Sequence, residues 1–256
     1  MIVVVLGVAT LIAYLYAVRA YDRRYPDRRF RSGRIAAFAA GVALGTLALV
    51  PPVDRIVDAS FGAHMVQHLV LMLIVPPLIL LGAPLLLLVA TPPPETGRRI
   101  AHVTRHPFVL ALASPVLAWL LFVATLWSVH FSPLYDLALD HVWIHVAEHA
   151  LLLATAFLFW LPVVQVGYAP LAISFPVRMF YLFLAIPQGA FLGLAIYSSR
   201  YVLYPHYLAG RSLEAAMADQ HNAGAVMWIA GGALLFLAFM LTAGAWAAHE
   251  YHEAPA

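Results

Sequence analysis

The stretch HMVQHLVLMLIVPPLILLGAPLLLLVA at residues 64–90 decides the fold class. Its histidines and its glutamine lie within the first five residues, and the rest of it is apolar, Gly or Pro. A helix over this stretch would extend about 40 Å at about 1.5 Å per residue, whereas the bilayer hydrocarbon is roughly 30 Å thick. Pro76 and Pro77 lack backbone donors, so we predict a membrane-spanning helix with a kink or break near residues 73–77.

The composition of the whole chain is also typical of a membrane protein. Of its 256 residues, 64% are hydrophobic and 10% are charged, whereas a soluble domain carries roughly 25% charged residues. We predict an all-α, polytopic membrane helix bundle that forms a single integral membrane domain over residues 1–256. About seven transmembrane helices are expected, at residues 2–18, 35–53, 64–90, 107–128, 142–164, 178–197 and 223–247.

Arginine placement predicts the orientation in the bilayer. The chain has no Lys, and seven of its fourteen Arg lie in the loop at 19–34. With seven spans, eleven Arg fall on one side and three on the other, so the positive-inside rule places the N-terminus outside and the C-terminus inside. Because half of the Arg lie in one short loop, the basic balance does not indicate a nucleic-acid partner. The absence of Cys excludes a disulfide framework, a thiolate zinc site and an iron–sulfur cluster.

Histidines recur at one-turn spacing in two of the predicted spans. His64 and His68 form the first stripe, and His141, His145 and His149 form the second. Residues four apart share a helix face, so each stripe directs its imidazoles one way. Ionisable groups near hydrocarbon depth are costly, and imidazole is the commonest side-chain metal ligand. The two stripes therefore indicate a metal-capable functional site.

The predicted topology places both stripes at the outer side of the membrane. His130 in the fourth loop and Asp219 with His221 before the last span fall on the same side. Since both stripes begin at one depth and are too polar to face lipid, we predict that His64 or His68 approaches His145 or His149 across a helix interface.

The residues alone leave simpler interpretations and several functions open. The first stripe could lie at a helix end facing headgroups, and Asp219 could be the N-cap of the last span. A metal held by three histidines with an open water position would suit a zinc-dependent intramembrane hydrolase, with Glu148 or Asp219 as general base. A third possibility is haem ligated by one histidine from each of the third and fifth spans.

At these positions the chain resembles the multi-pass CtaG family of cytochrome c oxidase assembly factors, which is associated with caa-type oxidases. The resemblance covers roughly residues 35–245. The matching motifs are His64-Met65-Val66-Gln67-His68, Val75-Pro76-Pro77 with Gly82-Ala83-Pro84, His130 with Pro133-Leu134-Tyr135-Asp136, His145-x3-His149 with Phe159-Trp160-Leu161-Pro162, and Asp219-Gln220-His221-Asn222-Ala223-Gly224.

The resemblance implies a copper-binding assembly factor in the bacterial cytoplasmic (inner) membrane. Such a protein is not an enzyme; it holds a copper ion and delivers it to an apo cytochrome c oxidase subunit, with zinc as the alternative metal. The leading ligand candidates are His64, His68, His145 and His149, followed by His130, His141, Asp219 and His221.

Overall fold

The computed structural model describes residues 1–132 and 134–253, and it places no β-strand among them. The chain is helical, as the sequence predicts. The α-helices are α1 (Ile2–Arg24), α2 (Ser32–Ala48), α3 (Pro51–Ala59), α4 (Phe61–Leu69), α5 (Val75–Leu81), α6 (Pro84–Ala90), α7 (Pro94–Thr104), α8 (Pro107–Leu112), α9 (Pro115–His130), α10 (Leu134–Asp140), α11 (Val142–Trp160), α12 (Phe175–Ser198), α13 (Leu213–Ala225) and α14 (Gly231–Glu253). Two π-helical segments, Val70–Ile74 and Val226–Ala230, and one 3₁₀ helix, Pro205–Leu208, complete the set.

Within the described part of the chain, five helical stretches are long and apolar enough to cross a bilayer. They are Ile2–Arg24, Phe61–Ala90, Val142–Trp160, Phe175–Ser198 and Leu213–Tyr251. The pair α2 and α3, bent by 50°, makes a sixth if it acts as one broken span, and α9 is a shorter apolar helix. A multi-pass membrane protein is therefore confirmed, while the count of seven spans and the orientation stay predictions.

The stretch that begins with His64 is more continuous than the sequence predicts. The chain does not break near residues 73–77: it passes from α4 through the π-helical segment Val70–Ile74, an irregularity of the kind at which helices kink, into α5. The break comes later, where α5 ends at Gly82 and Ala83 adopts a left-handed conformation with φ 50°.

A side chain compensates for the donors that the two prolines remove. The Met72 carbonyl would accept from residue 76 in an α-helix and from residue 77 in a π-helix, and both are Pro. The Trp160 indole N–H donates to this carbonyl at 2.9 Å. Since a freed backbone group at membrane depth needs a new partner, this bond helps the helix to remain continuous.

The contacts divide the chain into two compact units. The first comprises residues 1–54, 70–118 and 153–172. Its core includes Tyr14, which stacks on Phe38 with ring centroids 3.7 Å apart and donates a hydrogen bond of 2.9 Å to the Gly82 carbonyl. A Cβ at Gly82 would lie 2.6 Å from the Phe38 Cβ, so this close packing requires glycine.

The second unit comprises residues 55–69, 119–152 and 173–256 and contains every predicted ligand. Here α12 packs against α13 and α14, and α4 packs against α13. Gly193 and Gly224 meet so closely that a Cβ on either would lie 2.6 Å from the carbonyl oxygen of the other. The resulting core holds α4 with its histidines inward.

Candidate metal centre

The first histidine pair lies on the inner face of α4. His64 and His68 are both fully buried, and their Nε2 atoms are 2.9 Å apart. Their one-turn spacing gives this proximity directly, because residues four apart on a helix are neighbours. Neither side chain faces headgroups, so the interpretation of this pair as an exposed helix end is wrong.

The second stripe meets the first through its two deeper residues, His145 and His149 on α11. The His64 ring centroid lies 5.4 Å from that of His145 and 6.1 Å from that of His149. The His68 and His149 rings are 5.5 Å apart. The predicted approach of the two pairs is therefore confirmed, and we call these four residues the imidazole cluster.

His130 adds a fifth imidazole at the end of α9. Its ring lies 5.7 Å from that of His68, and 2% of the residue is exposed. Its Nδ1 is 2.8 Å from the Leu126 carbonyl oxygen. Because a carbonyl only accepts, Nδ1 carries the hydrogen, and Nε2 of the neutral ring holds the lone pair that a metal would use.

Several buried atoms of this region have no hydrogen-bond partner among the described residues. They are Nδ1 of His68, Nε2 of His130, Nε2 of His149 and both carboxylate oxygens of Glu148. An orphaned buried polar atom is costly, and each such case calls for an explanation. A cation bound at His149 or at the Glu148 carboxylate would supply the missing interaction there.

Glu148 belongs to this site, although the sequence analysis did not place it among the ligands. Its Oε1 lies 3.5 Å from Nε2 of His68, and the residue is 7% exposed. The signal was available, since Glu148 follows His145 by three residues and therefore shares its helix face. The four-residue spacing of the histidines does not include Glu148.

Two tyrosines also contact the cluster: Tyr135 belongs to the motif that contains His130, whereas no local signal in the sequence points to Tyr207. The Tyr207 hydroxyl is 2.9 Å from Nδ1 of His64, and the Tyr135 hydroxyl is 3.4 Å from that of Tyr207. Burial raises the pKa of both hydroxyls well above the usual range, so both are neutral phenols at physiological pH. Tyr207 can thereby orient the His64 ring, leaving its Nε2 toward the cluster.

Asp219 binds the N-terminus of α4 and lies outside the imidazole cluster. Its Oδ1 accepts from the Gly62 amide and the Ser60 hydroxyl, and its Oδ2 accepts from the Phe61 amide and the Arg211 guanidinium, at 2.9–3.1 Å. It therefore caps the N-terminus of the helix that carries His64. The interpretation of Asp219 as the cap of the last span is wrong, because that span begins at Leu213, where Ser212 is the cap.

The other two predicted ligands lie outside the cluster. His141 is exposed, one turn before His145. His221 is partly exposed, and its ring packs 5.3 Å from that of Tyr197.

Among the residues that the structure describes, two overlapping sets of side chains could hold a metal ion. One is His64, His145 and His149, and the other is His64, His68 and Glu148; within each set the ligand atoms lie within 4.8 Å of one another. Three ligand atoms bound to one ion at about 2.0–2.1 Å lie about 3.5–3.6 Å apart in a trigonal plane, so contractions of about 1.2 Å or less would close either set. Imidazole nitrogens suit copper, zinc and nickel, and the added carboxylate does not exclude any of them.

Comparisons with known proteins agree with the motifs around this site. Residues 12–249 match the family described as cytochrome c oxidase caa3 assembly factor (Caa3_CtaG). Uncharacterised proteins of Mycobacterium bovis and Mycobacterium tuberculosis are each 25% identical over 87% of this chain and 35% of their own length. One of Mycobacterium leprae is 25% identical over 98% of this chain and 39% of its own. The chain thus spans little more than a third of these relatives, and no solved structure matches it significantly. With nearly its whole length matched, this chain belongs to the caa3-type cytochrome c oxidase assembly factor family.

Proposed function

We propose that this protein binds copper in the bacterial cytoplasmic membrane and delivers it during assembly of a haem–copper cytochrome c oxidase. The ion is cargo: the protein holds it at the imidazole cluster and passes it to an apo-oxidase subunit, without catalysing a reaction. Because both ligand sets share His64, the cluster holds one ion at a time.

The observation that carries this proposal is the meeting of four imidazoles from α4 and α11, three of which are buried. His64 and His68 are fully buried, and His149 is 7% exposed. The oxidase enters the proposal through family membership. The mycobacterial relatives agree with a bacterial membrane. The metal is inferred from the imidazole nitrogens that the site offers. Two ligand sets that share an imidazole also suit a carrier, because an ion can exchange between them before it leaves.

Orientation decides where the copper is released. With the N-terminus outside, as the arginine distribution predicts, α4 begins at the outer side of the bilayer. The cluster then lies near the outer face, within reach of an oxidase subunit in the same membrane.

Copper content of the purified protein tests the proposal directly. Protein from copper-replete cells should carry about one copper per chain, and His68→Ala and His149→Ala should each lower that content and reduce oxidase activity in cells. His102→Ala is the matched control, because His102 is exposed on α7 in the other compact unit. Full copper content and normal oxidase in both cluster variants would overturn the proposal.

The position of Glu148 supports a second candidate, a zinc-dependent intramembrane hydrolase. Its carboxylate lies beside the histidines, where a general base would act on a metal-bound water. Glu148→Gln separates the two functions. A hydrolase would keep its metal and lose turnover of a peptide substrate, whereas a copper carrier would bind its copper more weakly and show no turnover before or after the change. An absorption spectrum with a Soret band would instead identify haem.

A further inference from the structure

An ionisable pair lies at the surface just outside the imidazole cluster. Nδ1 of His206 is 3.5 Å from Oδ1 of Asp140, and the two side chains are 28% and 65% exposed. Asp140 ends α10, and His206 lies in the 3₁₀ helix Pro205–Leu208. Neither residue belongs to the metal-binding sets described above.

Of this pair, His206 is separated from the imidazole cluster by a single side chain, that of Tyr207. The His206 ring packs edge-on against the Tyr207 ring with centroids 5.3 Å apart. The Tyr207 hydroxyl in turn contacts His64 at 2.9 Å. An ion held by His206 would therefore lie one residue layer outside the buried histidines.

Asp140 is connected to the imidazole cluster through the first turns of α11. Asp140 is followed directly by His141, which is exposed, and one turn later comes His145, which is half-buried. One turn deeper, His149 is 7% exposed, and its ring is 4.3 Å from that of His145. Burial increases from turn to turn, so His145 is the cluster imidazole closest to the surface.

The local charge favours a cation on this side. The Tyr207 hydroxyl donates to the Val57 carbonyl at 3.5 Å, and the residue after Val57 is Asp58, whose carboxylate is exposed. Carboxylates around an approach concentrate cations there and increase their association rate.

We propose that Asp140 and His206 form an outer receiving site for copper, from which the ion passes through His145 into the imidazole cluster. This inference rests on the proposed copper-carrying function. Two ligands at the surface bind an ion weakly and release it readily, whereas either of the three-ligand sets described above binds it more tightly. Transfer is then an exchange of coordination bonds, one ligand at a time, with no change in the oxidation state of the ion.

Loading kinetics of the full chain in detergent micelles test this step. Copper(I) is offered as the cationic complex of an uncharged chromogenic chelator, so that the donor carries the same sign of charge as the ion, and the loss of its absorbance is followed by stopped flow. Asp140→Asn and His206→Gln should each slow loading roughly tenfold, as expected when electrostatic guidance and a first ligand are lost. The final copper content should not change. His102→Gln, on the exposed surface of α7, should load at the wild-type rate.

Salt provides a readout that a merely structural role would not affect. Loading of the wild-type protein should slow as ionic strength rises, because exposed charges are screened beyond about 10 Å at 0.1 M salt. Asp140→Asn should show a weaker salt dependence than the wild type.

Failure of the receiving site can be distinguished from failure of the proposed copper-carrying function. Wild-type loading rates in both variants would overturn the receiving site and leave the copper-carrying function standing. A slower rate combined with a lower final copper content would also overturn it, because the pair would then belong to the holding site. Failure of the wild-type protein to take up any copper would overturn the proposed function and this inference with it.

Discussion

Replacing Asp219 with asparagine or alanine distinguishes helix capping from metal ligation at this position. Its two carboxylate oxygens accept hydrogen bonds from the backbone at the start of α4 and from Arg211. Asparagine keeps one acceptor oxygen for the α4 amides, whereas alanine keeps none. We therefore expect Asp219→Asn to retain copper and Asp219→Ala to lose both stability and copper affinity.

The size of the effect follows from these contacts. Loss of a side-chain cap costs about 1 kcal/mol, and the partly exposed ion pair with Arg211 adds up to about 1 kcal/mol. The free energy of unfolding should thus fall by about 2 kcal/mol in Asp219→Ala and by less than about 1 kcal/mol in Asp219→Asn. If fraying of the α4 terminus is fully coupled to metal binding, about 2 kcal/mol corresponds to a copper affinity about 30-fold weaker.

Two measurements on each variant check this expectation. Thermal or denaturant unfolding in micelles reports the stability, and competition with a chromogenic copper(I) chelator reports the affinity. Glu214→Gln is a matched control, since Glu214 is an exposed acidic residue on the same helix. If Asp219→Asn lost copper as completely as His149→Ala while unfolding normally, Asp219 would be a metal ligand and the capping argument would be refuted.

Three further outcomes are expected. Tyr207→Phe should weaken copper affinity by about 10–100-fold, because the partner of His64 Nδ1 is lost; chelator competition measures this, with Tyr197→Phe as the control. Trp160→Phe should lower the free energy of unfolding by about 1–3 kcal/mol, since the Met72 carbonyl is left without its indole donor; unchanged unfolding would show that the bond is dispensable. Copper at about 100 times its dissociation constant should stabilise the wild-type protein by about 2.7 kcal/mol, and His149→Ala by clearly less at the same concentration, in thermal unfolding with and without the metal.

Helix periodicity accounts for the part of the site that could be predicted from the sequence. A spacing of four residues places His64 beside His68 and His145 beside His149, whatever the rest of the chain does. Their polarity then predicts that both faces turn away from lipid and toward each other. The ring distances of 5.4–6.1 Å between α4 and α11 agree with that reasoning.

Contacts between distant residues could not be predicted in this way. Tyr207 reaches His64 across 143 residues, and Asp219 reaches Phe61 across 158. No periodicity links such positions, because their meeting depends on how separate helices pack. A capping carboxylate and a ligand carboxylate also look the same in a sequence, so the role of Asp219 became visible only with its partners.

Helix boundaries depend on local signals that hydropathy does not capture. The predicted span at 107–128 is divided into α8 and α9, because Pro115 starts a new helix and disfavours helical geometry in the residue before it. The last span begins ten residues earlier than its predicted start at residue 223, because Ser212 caps the helix there. The first turns of this helix are polar, so hydropathy does not assign them to a membrane span.

The distribution of unsatisfied atoms argues that the imidazole cluster is built for a cation and not for packing. Leucine or phenylalanine could fill the same space without leaving buried nitrogens unpaired, each of which costs about 1–3 kcal/mol. Nδ1 of His68 and Nε2 of His130 and His149 remain without a hydrogen-bond partner among the residues described, and they come from three different helices. An ion bound by His64, His145 and His149 would offset this cost at His149, and an ion bound by His64, His68 and Glu148 would offset it at the Glu148 carboxylate. If the protein carries copper as we propose, these unpaired atoms lower the stability of the empty protein, and binding of the ion offsets that loss.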